Sequence, residues 1–171
     1  MAEAVLAQAA QFCEEVLQPL NQVGDQEGCT LSGGTVTTAT GFKEAYDQYV
    51  QGGWPALAAD PAFGGQGAPQ VLRFAVEEMI CASNLSFGMF PGLSHGAYHA
   101  LLLHGTDELR ATWLPKLADG SWAGTMCLTE AHSGTDLGLL HTKAEPVPDS
   151  DGAYAISGQK IFISAGDHEL T

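Results

Sequence analysis

Residues 126 to 138, Met-Cys-Leu-Thr-Glu-Ala-His-Ser-Gly-Thr-Asp-Leu-Gly, place a short apolar run directly before three hydroxyls, a glycine and two acids. A strand ending at Thr129 offers a ligand one hydroxyl and free backbone N–H groups. Gly134 permits a tight backbone path beside it, and Ser133 and Thr135 can donate to a phosphate. The same residue types also build ordinary polar turns. A second stretch, Lys160-Ile161-Phe162-Ile163-Ser164-Ala165-Gly166, is again apolar and again ends in a hydroxyl and a glycine. Two such strand ends in one antiparallel meander can converge on a single flat ligand.

Other chemistry-bearing types carry less. His95 and His99 share a helix face at i, i+4, but no carboxylate stands inside the pair as it does in H-E-x-x-H, so partly buried or surface histidines are expected rather than metal ligands. The cysteines at 13, 29, 81 and 127 include no C-x-x-C pair and no histidine at ligand spacing, which excludes the usual zinc patterns and leaves reduced thiols as the simplest reading. Phe63-Gly64-Gly65-Gln66-Gly67 does not match G-x-G-x-x-G and follows no strand, so it reads as a turn. Glu77 and Glu78 read as a solvated helix face.

The bulk composition sets the class. Net charge is −14 with six scattered cations, which removes the basic stripe of a nucleic-acid binder. Apolar residues make up 45% of the chain. No apolar run approaches the roughly 20 residues of a membrane span. The first cation is Lys43, so the start lacks the positive flank of a secretory signal and a cytoplasmic protein is expected.

The elements that must position these residues change period partway along. Val5, Ala9, Phe12, Cys13, Val16, Leu17 and Leu20 recur at helical spacing, with Pro19 and Gly24 as an end signal. Residues 21 to 34 read as an irregular connection. Thr40 is a candidate cap for a helix through Val50, and 60 to 69 form a Gly/Pro loop. Further helices are expected from Val71, from Ser94 to Gly105, and from a Thr106 cap to Gly120. From Ser121 the period falls to two: strands are expected at 122 to 129, 140 to 145, 154 to 156 and 160 to 164. The order is a helical block and then an antiparallel meander, an α+β chain. Its last apolar strand lies close to Thr171, and an open edge there suggests a piece of something longer.

The two site stretches resemble the signature pair of the acyl-CoA dehydrogenase flavoproteins. Upstream, Phe63-Gly64-Gly65-Gln66-Gly67, His104-Gly105-Thr106 and the segment Leu114-Pro115-Lys116-Leu117-Ala118-Asp119-Gly120 resemble further segments of that family, so the likeness covers most of the chain. EVLQPLNQVGDQEGC and KIFISAGDHELT are most similar to the long subgroup that includes 3-(methylthio)propanoyl-CoA dehydrogenases.

The resemblance implies an N-terminal all-α helical domain at 1–120, followed at 121–171 by the first strands of an antiparallel β-barrel domain, a truncated form of that fold. It implies FAD as cofactor, with Met126, Leu128 and Thr129 against the flavin, Thr129 donating to the N1/O2 edge, and Gly134 and Thr135 at the pyrophosphate. Phe162 would pack on the ring and Ser164 would approach N5. In such enzymes a carboxylate takes the α-proton while the β-hydride passes to N5, and donors at N1 stabilise the resulting charge. That carboxylate belongs to a C-terminal helical bundle, so no catalytic residue is expected in this chain and Glu130 is not the base; on the cysteine and histidine spacing no metal ligand is expected either. Acyl-CoA as substrate, electron-transfer flavoprotein as acceptor and a dimeric or tetrameric full-length enzyme follow from the same likeness. An acyl-CoA oxidase, or a non-catalytic helical interaction module, are the alternatives. Ala131 stands where the family usually has proline, Phe162 where tryptophan is common, and Ala165 where asparagine is frequent.

Overall fold

The alanine- and glutamine-rich start folds as helix α1 (Ala2–Phe12), followed without a break by a π-helical turn (Cys13–Leu17) and helix α2 (Gln18–Glu27). The computed structural model describes all 171 residues. Pro19 therefore does not end the first helix as its sequence position suggests. A helical proline lacks an N–H and crowds the carbonyl one turn back. The wider π turn just before it, closed by Gln18 N–H on the Cys13 carbonyl, supplies the missing room. Gly24 is not a stop either: a Cβ there would lie 2.9 Å from Phe42 Cζ, so this glycine lets two segments approach closely.

Strands β1 (Thr30–Ser32) and β2 (Thr35–Thr37) form a hairpin whose Gly33-Gly34 turn has positive φ at both residues, the geometry that suits a two-residue connection. The expected irregular stretch from 21 to 34 is thus mostly helix and strand. Helix α3 (Phe42–Gln51) starts after Gly41, not from a Thr40 cap; no side chain caps it, and the Thr40 N–H donates to Glu27 Oε2 at 2.8 Å. Helix α4 (Gln70–Ser83) runs to Asn84. Helix α5 (Leu85–His104) begins at once rather than at Ser94. Asn84 explains this early start: its side chain accepts the Phe87 N–H at 3.0 Å and caps the helix, which then carries Pro91 internally. Helix α6 (Asp107–Ala118) starts from Thr106 as expected, with the hydroxyl accepting the Leu109 N–H at 3.3 Å.

Helices followed by antiparallel strands match the expected class, although no barrel closes. Strands β3 (Lys143–Pro146) and β4 (Tyr154–Ser157) pair antiparallel, Lys143 with Ser157 and Pro146 with Tyr154. The strands expected at 122 to 129 and 160 to 164 do not form. The two segments do meet: Ile161 N–H donates to the Thr129 carbonyl at 2.9 Å, and the Thr125 hydroxyl donates to the Ser164 carbonyl. Phe162 and Ala165 have φ of 56° and 51°, which breaks the pleat that a ladder needs.

The chain divides into two compact units, Met1–Gly124 with Asp167–Thr171, and Thr125–Gly166. In the first, Ala59, Tyr98, Leu114, Leu117 and Ala118 form a buried cluster, and Phe12, Phe42, Tyr46, Tyr49, Phe87 and Phe90 make a chain of aromatic contacts. The Asp60 N–H donates to the Tyr98 hydroxyl at 2.9 Å, tying the 60–69 loop to α5. The tail is tied in as well, with Glu169 accepting the Thr38 N–H at 3.0 Å and Leu170 buried. No helix is long and apolar enough to cross a membrane.

His95 on α5 stays neutral in this packing. Burial first, then the charges of Arg73 and His99, push its pKa down to about 4 from 6.5, and its Nε2 has no partner. A depressed histidine pKa means that the unfolded chain binds the extra proton. Its stabilising contribution is therefore complete above pH 6.5 and is lost as pH falls from 6.5 toward 4. Urea titrations across that window should show a falling midpoint for the parent chain and a flatter profile for His95→Gln. Parallel profiles would sink this account.

Candidate functional site

The second unit is organised around Glu130. This residue is only 3% exposed, although it carries a charge. Its Oε1 accepts from Lys160 Nζ at 2.8 Å and from the Thr142 N–H at 2.9 Å, while Oε2 accepts the His141 N–H at 2.8 Å. Lys160 also donates to the Leu128 carbonyl at 2.8 Å. The Lys160 ammonium, foremost, and the backbone donors hold the Glu130 carboxyl well below the usual carboxylate range. An acid so fully engaged by donors is a poor proton acceptor, and its evident work is to pin three segments of chain together.

The polar loop that follows is built by its own bonds. Glu130 and Ser133 exchange two backbone hydrogen bonds of 3.0 Å, which makes a tight reversal. The Ser133 hydroxyl is buried and donates to the Asp136 carbonyl at 2.6 Å, so it is not a free phosphate donor. Asp136 accepts the Gly138 N–H at 3.1 Å and starts a 3₁₀ turn at Leu137–Leu139. Gly134 and Thr135 lie at the exposed crest, and a Cβ at Gly134 would meet nothing within 4 Å.

The residues anticipated around a flavin fall in two groups here. Met126, Leu128 and Thr129 precede the loop, while Phe162 and Ser164 lie on the segment joined to it through Ile161 and Thr129. Met126 is 58% exposed and Phe162 85% exposed, large apolar side chains without protein cover. One juxtaposition was not visible in the spacing of the sequence. His132 and His141 stack with ring centroids 4.0 Å apart, and His132 Nε2 stands 3.3 Å from Glu130 Oε2 and 2.9 Å from the Leu139 carbonyl. Nine positions separate the two histidines, and only the Glu130-centred reversal brings them together.

Against known proteins, residues 2–121 match the family described as the acyl-CoA dehydrogenase N-terminal domain. The chain belongs to the acyl-CoA dehydrogenase family. It is 44% identical over 170 residues to 3-methylmercaptopropionyl-CoA dehydrogenase of Ruegeria pomeroyi, an alignment that covers 99% of this chain and 29% of that protein. The chain thus spans less than a third of that relative's length. Among solved structures, butyryl-CoA dehydrogenase of Megasphaera elsdenii superposes with a TM-score of 0.78 at 23% identity, covering 95% of this chain and 40% of that one. An acyl-CoA dehydrogenase of Bacillus anthracis solved in complex with FAD gives a TM-score of 0.72 at 20% identity, over 95% of this chain and 26% of the other. These likenesses to solved structures establish the acyl-CoA dehydrogenase fold.

In this member of the acyl-CoA dehydrogenase family the Glu130–Lys160 pair joins the segments around residues 130 and 160, which yields an expected result. Glu130→Gln keeps the size of the side chain but sets an amide N–H₂ against donors. The His141 and Thr142 amides should then exchange with solvent markedly faster than in the parent, while amides of α4 and α6 stay unchanged. Because the folded pKa is depressed, the contribution of Glu130 is present above its ordinary value of 4.5 and is lost as pH falls below that value. Unaltered exchange at His141 and Thr142 in the variant would remove Glu130 from this role.

Proposed function

We propose that this chain is the N-terminal part of an FAD-dependent acyl-CoA dehydrogenase that oxidises an acyl-CoA thioester between Cα and Cβ and passes the electrons to an electron-transfer flavoprotein. The observation that carries the reading is the 2.9 Å bond from Ile161 N–H to the Thr129 carbonyl, which sets the loop after Thr129 beside the segment bearing Phe162 and Ser164. The residues fit FAD in kind: exposed apolar Met126 and Phe162 suit the faces of a ring, and the open backbone at Gly134 suits the approach of a pyrophosphate. When bound, FAD supplies the hydride acceptor.

The residues of the chain then have separate tasks. Met126, Leu128 and Phe162 cover apolar surface and exclude water. The Thr129 hydroxyl would hold the electron-accepting edge of the flavin as a donor, and Ser164 would orient the ring. Gly134 and Thr135 hold the phosphates through backbone and hydroxyl donors. The proton acceptor is assigned to sequence outside this chain, which fits Glu130 being occupied by Lys160. Fatty-acid metabolism, a cytoplasmic setting and a dimeric or tetrameric full-length enzyme belong to the same proposal.

The test uses the full-length protein. It should purify with stoichiometric flavin, bleach anaerobically with an acyl-CoA and turn over with an electron-transfer flavoprotein. The similarity to 3-methylmercaptopropionyl-CoA dehydrogenase makes that thioester the first substrate to try. Turnover strictly dependent on oxygen would replace the dehydrogenase reading with an oxidase.

A further inference from the structure

The geometry points to a second binding site in this chain: Glu130, His132 and His141 form a site for one divalent first-row metal ion, with zinc the best match. This inference does not rest on the flavin reading. One ligand atom from each residue lies within 4.8 Å of the others. An ion bound to imidazole and carboxylate at about 2.0–2.2 Å with tetrahedral geometry has neighbouring ligand atoms roughly 3.4 Å apart. The 3.3 Å between His132 Nε2 and Glu130 Oε2 already spans one such edge. Closing the other separations, none above 4.8 Å, falls to the two exposed imidazoles. Two histidines and one carboxylate, with a water in the fourth position, form a borderline-soft donor set that suits zinc rather than magnesium or calcium.

The lone pairs allow it. Glu130 Oε1 is taken by Lys160 and the Thr142 N–H, but Oε2 accepts only the His141 N–H from the backbone and keeps a second lone pair on the His132 side. The same backbone bond ties the ligating carboxylate to the residue carrying another ligand, so two of the three donors are pre-positioned. Binding exchanges the Nε2–H bond that His132 donates to the Leu139 carbonyl, 2.9 Å away, for a metal bond, the ring proton passing through solvent to Nδ1 so that Nε2 offers its lone pair. The Lys160 ammonium opposes a second cation, but it lies on the other carboxylate oxygen, and the chain's net charge of −14 favours cations. An ion held here would clamp the loop from 132 to 141, which carries Gly134 and Thr135 at its crest.

Calorimetric titration of the tag-free 171-residue chain with zinc chloride tests the site. One ion should bind per chain. His132→Asn and His141→Asn should each weaken binding by about tenfold or more, with an unchanged circular dichroism spectrum since both rings are exposed. Binding should persist in a chain with Cys29→Ser and Cys127→Ser, which removes the two exposed thiols. In the parent, zinc should shift the imidazole C–H resonances of His132 and His141 and leave those of His95 and His99 in place, a readout independent of any variant's folding. The inference is overturned by zinc binding that survives both histidine changes, by binding that disappears with the thiols, or by the absence of binding.

Discussion

Asn84→Ala will lower the melting temperature of the helical unit by about 10 °C. Asn84 is 1% exposed and works in both directions. Its oxygen accepts the Phe87 N–H at 3.0 Å and the Ser86 hydroxyl at 2.7 Å, while its Nδ2 donates to the Leu17 carbonyl at 3.2 Å. Leu17 closes the π turn, so one side chain caps α5 and also satisfies a carbonyl of the segment that absorbs Pro19. Loss of the cap costs about 1 kcal/mol. Leaving a buried carbonyl without its donor adds about 1–3 kcal/mol. The sum, roughly 2–4 kcal/mol, is large for a domain of this size. Thr106→Ala is the control: its cap on α6 is solvent-exposed and tied to nothing else, so it should cost about 0.5–1 kcal/mol. Thermal melts that give both variants the same shift would refute the double role of Asn84.

Asn84 also shows why part of this fold was legible in the sequence and part was not. The places of α4 and α6 and the Thr106 cap depend on neighbours within a few residues, and local pattern reports them. The start of α5 at Leu85 rests on the Asn84 cap, a local signal outweighed in the sequence by Pro91 inside the helix, and the continuation through Pro19 rests on the π turn at Cys13–Leu17, which residue types do not announce. Gly24 misleads because Phe42 explains it and sequence proximity does not.

The candidate site divides along the same line. The hydroxyl and glycine positions from Thr129 to Thr135 and from Phe162 to Ser164 stood out because their residue types are chemically specific. That the chain belongs to the acyl-CoA dehydrogenase family followed from those motifs. The strands expected to present them do not form, because Phe162 and Ala165 adopt positive φ, which side-chain type alone does not announce. The burial of the Ser133 hydroxyl follows from the local reversal at 130–133, whereas the central place of Glu130 and the His132–His141 pair follow from bonds to residues 141, 142 and 160, which no local pattern carries.

The same reversal fixes the consequence of changing Thr129. Its carbonyl is committed to Ile161 at 2.9 Å, and the preceding Leu128 carbonyl to Lys160 Nζ at 2.8 Å, so the backbone that aims its hydroxyl is held from both sides. Thr129→Val preserves shape and removes only the donor. In the full-length enzyme this substitution should cut turnover with an acyl-CoA by about 100-fold while flavin content stays near one per chain. KM should change little, because a donor that acts on developing charge contributes more to the transition state than to the bound substrate. Thr129→Ser should recover most of the loss, since it restores the hydroxyl at the same Cβ. A valine variant with parental turnover would show that the hydroxyl does not face the reacting charge. A valine variant without flavin would show instead that Thr129 contributes to holding the cofactor. The serine variant separates these outcomes from simple misfolding, because the mutated side chain lies on a backbone fixed by Ile161 and Lys160 in all three proteins.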